Sequence, residues 1–219
     1  MKRKTVSKFL AAALSAALCV PILLAEPISA SARTVSGDTV SGGTVSESSE
    51  ASAPAAVTNN VFIGGRHVTS TIGGIYTATT INGAVITTPK ENLAASIGLS
   101  EADIAAGTNI RSYICDIHDK ASKAALQSAA EAAGKTVAGY VSMDLYTITK
   151  KGVVTKVTSS SEPVSITLAL PGRLAKTNNS FSIIAIDQDG KTVIMDDVDT
   201  DPKTITFNTK VFGAYSIVY

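Results

Sequence analysis

The sequence predicts an α+β protein, mainly antiparallel β, with a sandwich-like C-terminal module and about three helices in its middle third. Three observations carry this. Val164, Ile166, Leu168 and Leu170 alternate with Ser165, Thr167 and Ala169, the period-two pattern of a half-buried strand. Asn82-Gly83 and the stretch from Asp187 to Gly190 each separate two β-rich runs, as hairpin turns do. Between them, Thr88, Ser100 and Asp119 each open a segment that closes on a glycine, at Gly98, Gly107 and Gly134, the start and stop signals of helices.

The chain opens with the basic run from Met1 to Lys8, an apolar run from Phe9 to Ala25, and Ala30-Ser-Ala32. This order predicts a secretory signal peptide over residues 1–32. Its removal takes four of the 19 basic side chains (Lys2, Arg3, Lys4, Lys8) and one of the 18 acidic ones (Glu26), leaving 15 and 17 and a net charge of −2. Such balance gives no electrostatic footprint for nucleic acid or for an anionic membrane, so neither is expected as a partner once the signal is cleaved. Cys19 leaves with the signal. Cys115 then remains as a single cysteine that can form no intramolecular disulfide, and stability must come from a packed core.

Residues 33–60 are rich in Ser, Thr, Gly, Ala and Glu, with Thr-Val-Ser recurring at Thr34, Thr39 and Thr44. They hold too little apolar surface to offset the entropy of ordering, which predicts a disordered spacer. An α+β region is expected over 61–158 and a C-terminal β module over 159–219.

Within the first region, Val61 to Ile63 and His67 to Thr69 read as one strand broken by Gly64-Gly65. Ile75–Ile81 and Ala84–Thr87 read as a hairpin around Asn82-Gly83. Thr88 is placed to cap a first helix, with Pro89 at its first position and Glu91 at its third. Ser100 and Asp103 open a second helix ending at Gly107. Asn109 to Ile117 is apolar on both faces, so a covered central strand is expected. Asp119 caps the longest helix, Lys120 to Ala133, whose alanines present a flat surface. A long strand from Val137 to Thr149 follows, with Val137, Val141, Met143 and Leu145 inward. The strand, helix, strand order is long enough for a parallel crossover. Lys150-Lys151-Gly152 then turns the chain into Val153–Thr158.

The second region continues from Val164–Leu170 through a hairpin of Phe181–Ile186 and Thr192–Met195. Thr204–Asn208 places Ile205 and Phe207 inward, and Phe212–Tyr219 is the last strand. The residues from Glu162 to Tyr219 include Pro-Val-x-Ile-x-Leu-x-Leu-Pro, an Asp-Gly turn, Asp-x-Asp-x-x-Pro-x-Thr-Ile-Thr-Phe and a terminal Phe-Gly-x-Tyr-x-Ile-Val-Tyr. This pattern resembles the C-terminal module of uncharacterised secreted proteins of Gram-positive, Clostridia-type bacteria, and the resemblance extends more loosely back to about Gly74. It implies an exported, mainly β protein of the cell surface or its surroundings. It brings no activity and no catalytic residues.

Few side chains carry chemistry. Cys115, Asp116, His118 and Asp119 are the one cluster joining a thiol, an imidazole and carboxylates, but residues three apart on a strand face opposite ways, so a buried inert thiol beside a surface imidazole is expected. Asp187, Asp189, Asp196, Asp197, Asp199 and Asp201 are read as solvated acidic turns, with calcium the open alternative; an EF-hand loop fails because Ala185 stands where it needs an acidic or amide side chain. His67, His118 and one thiol give no zinc spacing. Leu170-Pro-Gly-Arg173 lacks the threonine and tail of a wall-sorting signal, and Asn178-Asn-Ser180 fits a glycosylation sequon only formally. The chain has no Trp, and Tyr76, Tyr113, Tyr140, Tyr146, Tyr215 and Tyr219 all fall in predicted strands, as core or sheet-face residues would. No catalytic, cofactor-binding or metal-ligating residue is therefore assigned, and no cofactor is expected. The functional expectation is an exported non-catalytic interaction module, localised outside the cell or at its surface, whose partner is unknown, with cell-wall material or an extracellular protein or glycan as candidates. The alternatives are a small-ligand or glycan-binding module and a hydrolase with an unrecognised site.

Overall fold

The computed structural model describes residues 59–177, 179–187 and 189–219. The signal peptide, Cys19, Asn178 of the sequon and all of the spacer before Asn59 lie outside these described residues.

The first elements are β1 (Asn59–Ile63) and β2 (Arg66–Ser70), an antiparallel pair joined by Gly64-Gly65. Both glycines hold positive φ, +58° and +88°, so the expected broken strand is a tight hairpin of the kind that matches strand twist. Next come β3 (Gly73–Tyr76) and β4 (Gly83–Ile86), which do not form the expected hairpin. The chain between them is held by distant groups: the Asp116 carboxylate accepts from the backbone N–H of Thr79 and Thr80, and the Asn82 N–H donates to the Ala169 carbonyl. Those bonds carry the chain out of one sheet and into another, overriding the turn preference of Asn82-Gly83.

Helix α1 (Lys90–Ser96) is not capped by Thr88, whose hydroxyl instead accepts from the Ser165 N–H at 2.8 Å. The Thr71 hydroxyl serves the Lys90 N–H in its place. Helix α2 (Glu101–Ala105) carries the capping box of Ser100 and Asp103, and the chain leaves it at Gly107 with φ +91°. Then follow β5 (Asn109–Asp116), α3 (Lys120–Ala132) and β6 (Val137–Ile148). Asp119 caps α3 by accepting from the Ser122 N–H at 2.7 Å.

Strands β5 and β6 are antiparallel, with Asn109 opposite Ile148 and Asp116 opposite Val141. The expected parallel crossover is therefore absent. A helix between two strands fits either arrangement, and here α3 returns the chain to the end of the sheet that β5 has just left. The remaining elements are β7 (Val154–Val157), β8 (Ser159–Ala169), the single turn α4 (Gly172–Ala175), β9 (Ser182–Ile186), β10 (Thr192–Asp196), β11 (Thr204–Val211) and β12 (Gly213–Val218). The hairpin β9–β10 forms around the expected acidic turn, where the Asp187 carboxylate accepts from the N–H groups of Asp189 and Lys191.

The strands sort into three sheets. One has seven strands in the order β10-β9-β12-β6-β5-β3, with β7 also paired to β6; one has three, β11-β8-β4; and the β1–β2 hairpin is the third. Among the described residues every pairing is antiparallel except β3 with β5. The protein is thus mostly β, with a few helices, as the sequence predicts.

The described residues form one compact unit, and strands of both expected regions line a single buried cluster. Ile166, Leu168, Ile205 and Phe207 from the three-stranded sheet join Val141, Met143, Tyr215 and Ile217 from the seven-stranded one, with Leu93 of α1 beside them. The alternate residues of the seven-stranded sheet, Ile184 and Val218, pack with Leu126, Ala129 and Ala130 of α3. The small alanine side chains let the helix lie close on the sheet. A third cluster of Ile63, Val85 and Ala169 lies where the β1–β2 hairpin meets the three-stranded sheet. Thr167 and Ala169, expected to face outward, are consequently buried at 9% and 1% exposure, and the Thr167 hydroxyl lies 2.9 Å from that of Thr206. No helix among the described residues is long and apolar enough to cross a membrane.

Candidate functional site

Strand β5 stops at Asp116, opposite Val141, while β6 begins four residues earlier, at Val137. The stretch from Val137 to Tyr140 therefore pairs with β12 along one edge and, among the described residues, has no strand along the other. The space left beside it is a cleft of about 450 Å³. Its walls come from four separated parts of the chain: Thr80 before β4, Asp116 at the end of β5 with His118 just beyond it, Lys123 and Gln127 on α3, and Arg173 on α4.

Local rules explain how each side chain arrives there. Asp119 starts α3 immediately beyond His118, so Lys123 and Gln127, four residues apart, share one face of the helix. That face looks onto Tyr140. The Lys123 ammonium lies 5.8 Å from the centre of the Tyr140 ring, and the Tyr140 hydroxyl donates to Gln127 Oε1 at 2.7 Å. Gln127 in turn donates through Nε2 to Glu131 Oε1 at 2.8 Å. Burial, and then the charge of Glu131, push the Tyr140 phenol up, so it remains a protonated donor at neutral pH.

Asp116 anchors the opposite wall. Its Oδ2 accepts from the Thr79 N–H at 2.8 Å and from the Thr79 hydroxyl at 2.5 Å, and its Oδ1 accepts from the Thr80 N–H at 2.9 Å. Burial alone would push this carboxyl up, but the hydrogen bonds from Thr79 and Thr80 outweigh it and hold the group well below the usual carboxylate range. The carboxylate is an architectural acceptor, permanently ionised near neutrality. Thr80 is fixed over Gly139, where an added Cβ would come within 2.4 Å of the Thr80 methyl. Gly139→Ala is therefore expected to push Thr80 away from Asp116 and to cost about 1–3 kcal/mol, as overpacking does. Thermal melts of the variant beside Ala138→Gly test this; an unchanged midpoint for Gly139→Ala would show that Thr80 yields freely.

The described residues contain two ion pairs, Arg66 with Asp201 and Lys156 with Asp144, and neither Lys123 nor Arg173 belongs to them. The cleft thus sets two cations against one carboxylate that is already hydrogen-bonded three times. Binding chemistry fits this arrangement better than proton transfer.

The sequence-predicted candidates are not brought together as a catalytic centre. Cys115 is half-buried, not fully buried as expected, and strand alternation sends it to the face opposite Asp116. His118 and Asp119 are exposed, and Asp119 is engaged as the cap of α3. In the acidic stretch, Asp197 accepts from the Asp199 N–H, Asp199 from the Asp201 N–H and Asp201 from the Lys203 N–H, a chain of Asx turns. The second Asp199 oxygen accepts from the hydroxyls of Thr204 and Thr206, and Asp201 also pairs with Arg66. These carboxylates hold a loop together. Burial pushes Asp197 up, while the Lys203 N–H leads the interactions that hold Asp201 down. Among the described residues no group of three or more His, Cys, Asp or Glu side chains is placed to hold a metal ion. A larger opening of about 600 Å³ beside this loop is bounded by the same engaged aspartates.

The sequence reading passed over Lys123, Gln127 and Arg173. The one local signal was the four-residue spacing of Lys123 and Gln127 on a helix that otherwise presents small residues to its sheet. Comparison with protein families, curated proteins and solved structures finds no match to this chain.

Proposed function

We propose that this chain is an exported, non-catalytic interaction module of the cell surface or its surroundings, and that the cleft beside Val137–Tyr140 is its contact surface. The observation that carries the reading is the state of the cleft's polar groups. Its one carboxylate is fully engaged by Thr79 and Thr80, its phenol is bonded to Gln127, and its cations stand free of ion pairs among the described residues. A carboxyl that acts as general acid or base must lie near its working pKa, and Asp116 is held far from one. The basic, apolar and small-residue sequence of residues 1–32 supports export, as does the resemblance of Glu162–Tyr219 to secreted Clostridia-type proteins. The shared cluster between the three- and seven-stranded sheets supports reading the whole as sandwich-like. A partner in the cell wall or among extracellular proteins and glycans suits such a module.

The test is a screen of the purified chain against glycoside, peptide and ester substrates, beside a pull-down on cell-wall material and extracellular glycans. No turnover and saturable capture are expected. Turnover that vanishes when a single Asp or Glu is replaced overturns the reading in favour of an enzyme.

A further inference from the structure

Resting on the reading of this cleft as a contact surface, we propose that its partner is an extended acidic peptide segment, which adds to β6 as a strand in line with β5.

The argument starts from the interrupted pairing. Strand β6 has twelve residues, and β5 covers its edge only from Val141 to Ile148. Along Val137–Tyr140 the same edge carries backbone groups turned away from β12, and an open edge is a template for another strand. Four residues of strand extend about 13 Å, so the gap takes a short segment. The cleft's volume, about 450 Å³, suits the same length.

The walls then select the chemistry of that segment. Lys123 stands on one side and Arg173 on another, both without an ion pair among the described residues, while Asp116 is withdrawn into the hydrogen bonds of Thr79 and Thr80. An added strand sends alternate side chains to opposite faces, so carboxylates spaced along it meet cations on both sides. Arg173 offers a planar fork that suits a carboxylate. Gly139, without a side chain of its own, leaves Thr80 close to the β6 backbone at the wall of the cleft. A basic segment would meet Lys123 and Arg173 at close range, and a proline-rich one would lack the N–H groups that the edge must receive.

Two features make the site discriminating rather than generally adhesive. The β6 backbone supplies affinity without regard to sequence, and the cations supply the choice of partner, raising the association rate with acidic segments in a salt-dependent way. The seven-stranded sheet also offers β3 as an open edge, where Ile75 and Tyr76 are exposed, so the cations facing each other across the cleft are what mark the β6 gap for an acidic segment.

The experiment titrates the whole chain with three dye-labelled probes: Val-Glu-Glu-Val-Glu-Glu-amide, whose adjacent glutamates face both sides of an added strand, its counterpart with lysine in place of glutamate, and glucuronate as a small carboxylate. Binding is read by anisotropy and, at saturation, by amide hydrogen exchange. The glutamate peptide is expected to bind at least about tenfold more tightly than the lysine peptide and to slow exchange at Val137–Tyr140. Lys123→Glu, at a half-buried position, combined with Arg173→Glu, at an exposed one, should abolish that preference while leaving the melting transition in place. If the variant melts early, Lys123→Gln with Arg173→Gln reads the same loss by a smaller change. Equal binding of both peptides, binding without protection of the β6 amides, or no peptide binding overturns the proposal. Protection by glucuronate alone assigns the cleft to a small anionic ligand, which also overturns the acidic strand but leaves the contact surface standing. Cleavage of any probe would instead remove the interaction-module reading itself.

Discussion

Replacing Phe207 by alanine is expected to lower stability by about 3–5 kcal/mol, the range for removing a large aromatic side chain from a packed core. Phe207 is fully buried on β11, opposite Ile166 of β8, and its ring meets that of Tyr215 edge to face at 5.8 Å. This is where the two larger sheets touch. Tyr215 cannot swing to fill the cavity, because its hydroxyl donates to the Val211 carbonyl and its backbone is paired on both sides, to β6 and to β9. The loss should therefore exceed that of an ordinary truncation and approach the whole stability of a marginal domain. Urea titration of Phe207→Ala beside Asn208→Ala, the exposed neighbour on the same strand, provides the measure. Asn208→Ala should remain within about 0.5 kcal/mol of the parent, as surface changes do. Comparable losses at both positions would show that β11 does not bury one face against the seven-stranded sheet.

Phe207 and its neighbours were legible in the sequence because burial there follows from alternation alone. Ile205 and Phe207 on one strand, and Val164, Ile166 and Leu168 on another, repeat with period two, and the structure buries all five completely. Helix ends were legible for a similar reason. Ser100 with Asp103, and Asp119 with Ser122, satisfy backbone donors three residues away, so nothing distant has to be known. Where local and distant partners compete, the sequence misleads. Thr88 has every local qualification for a cap, but the Ser165 N–H, 77 positions along, claims its hydroxyl. Asn82-Gly83 has the chemistry of a hairpin turn, but the Asp116 carboxylate and the Ala169 carbonyl take the backbone around it. The burial of the second face of β8 is not legible in its sequence, because a polar Thr167 says nothing of the hairpin that closes over its strand. The cleft is the extreme case. It exists because β5 ends before β6 begins to run out, a difference in strand length that no residue near Val137 records.

The strongest single test of that cleft is Asp116→Asn, compared with the parent across acid pH. Above about pH 4, the parent carries a carboxylate that receives two backbone N–H groups and a hydroxyl. The amide keeps one acceptor oxygen and introduces a donor where an acceptor was needed, so Asp116→Asn should cost about 1.5–3 kcal/mol at neutral pH, the range for hydrogen bonds to a charged group. The pH dependence has a definite sign. Burial raises the Asp116 pKa, the bonds from Thr79 and Thr80 lower it by more, and the folded value ends below the roughly 3.9 of an unfolded aspartate. The stability it contributes is therefore complete above the unfolded value and drains away as pH falls toward the folded one. Asn cannot titrate. The gap between parent and variant should thus be widest at neutral pH, begin to narrow near the unfolded value of about 4 and keep narrowing as pH falls toward the folded one, measured as the difference between two urea titrations at each pH. Asp103, Asp119 and Asp201, whose pKa values are also lowered, contribute equally to both proteins and cancel. A gap that stays constant from neutral to strongly acid pH would mean that Asp116 acts by its shape alone, and the ionised anchor assigned to this wall of the cleft would be wrong.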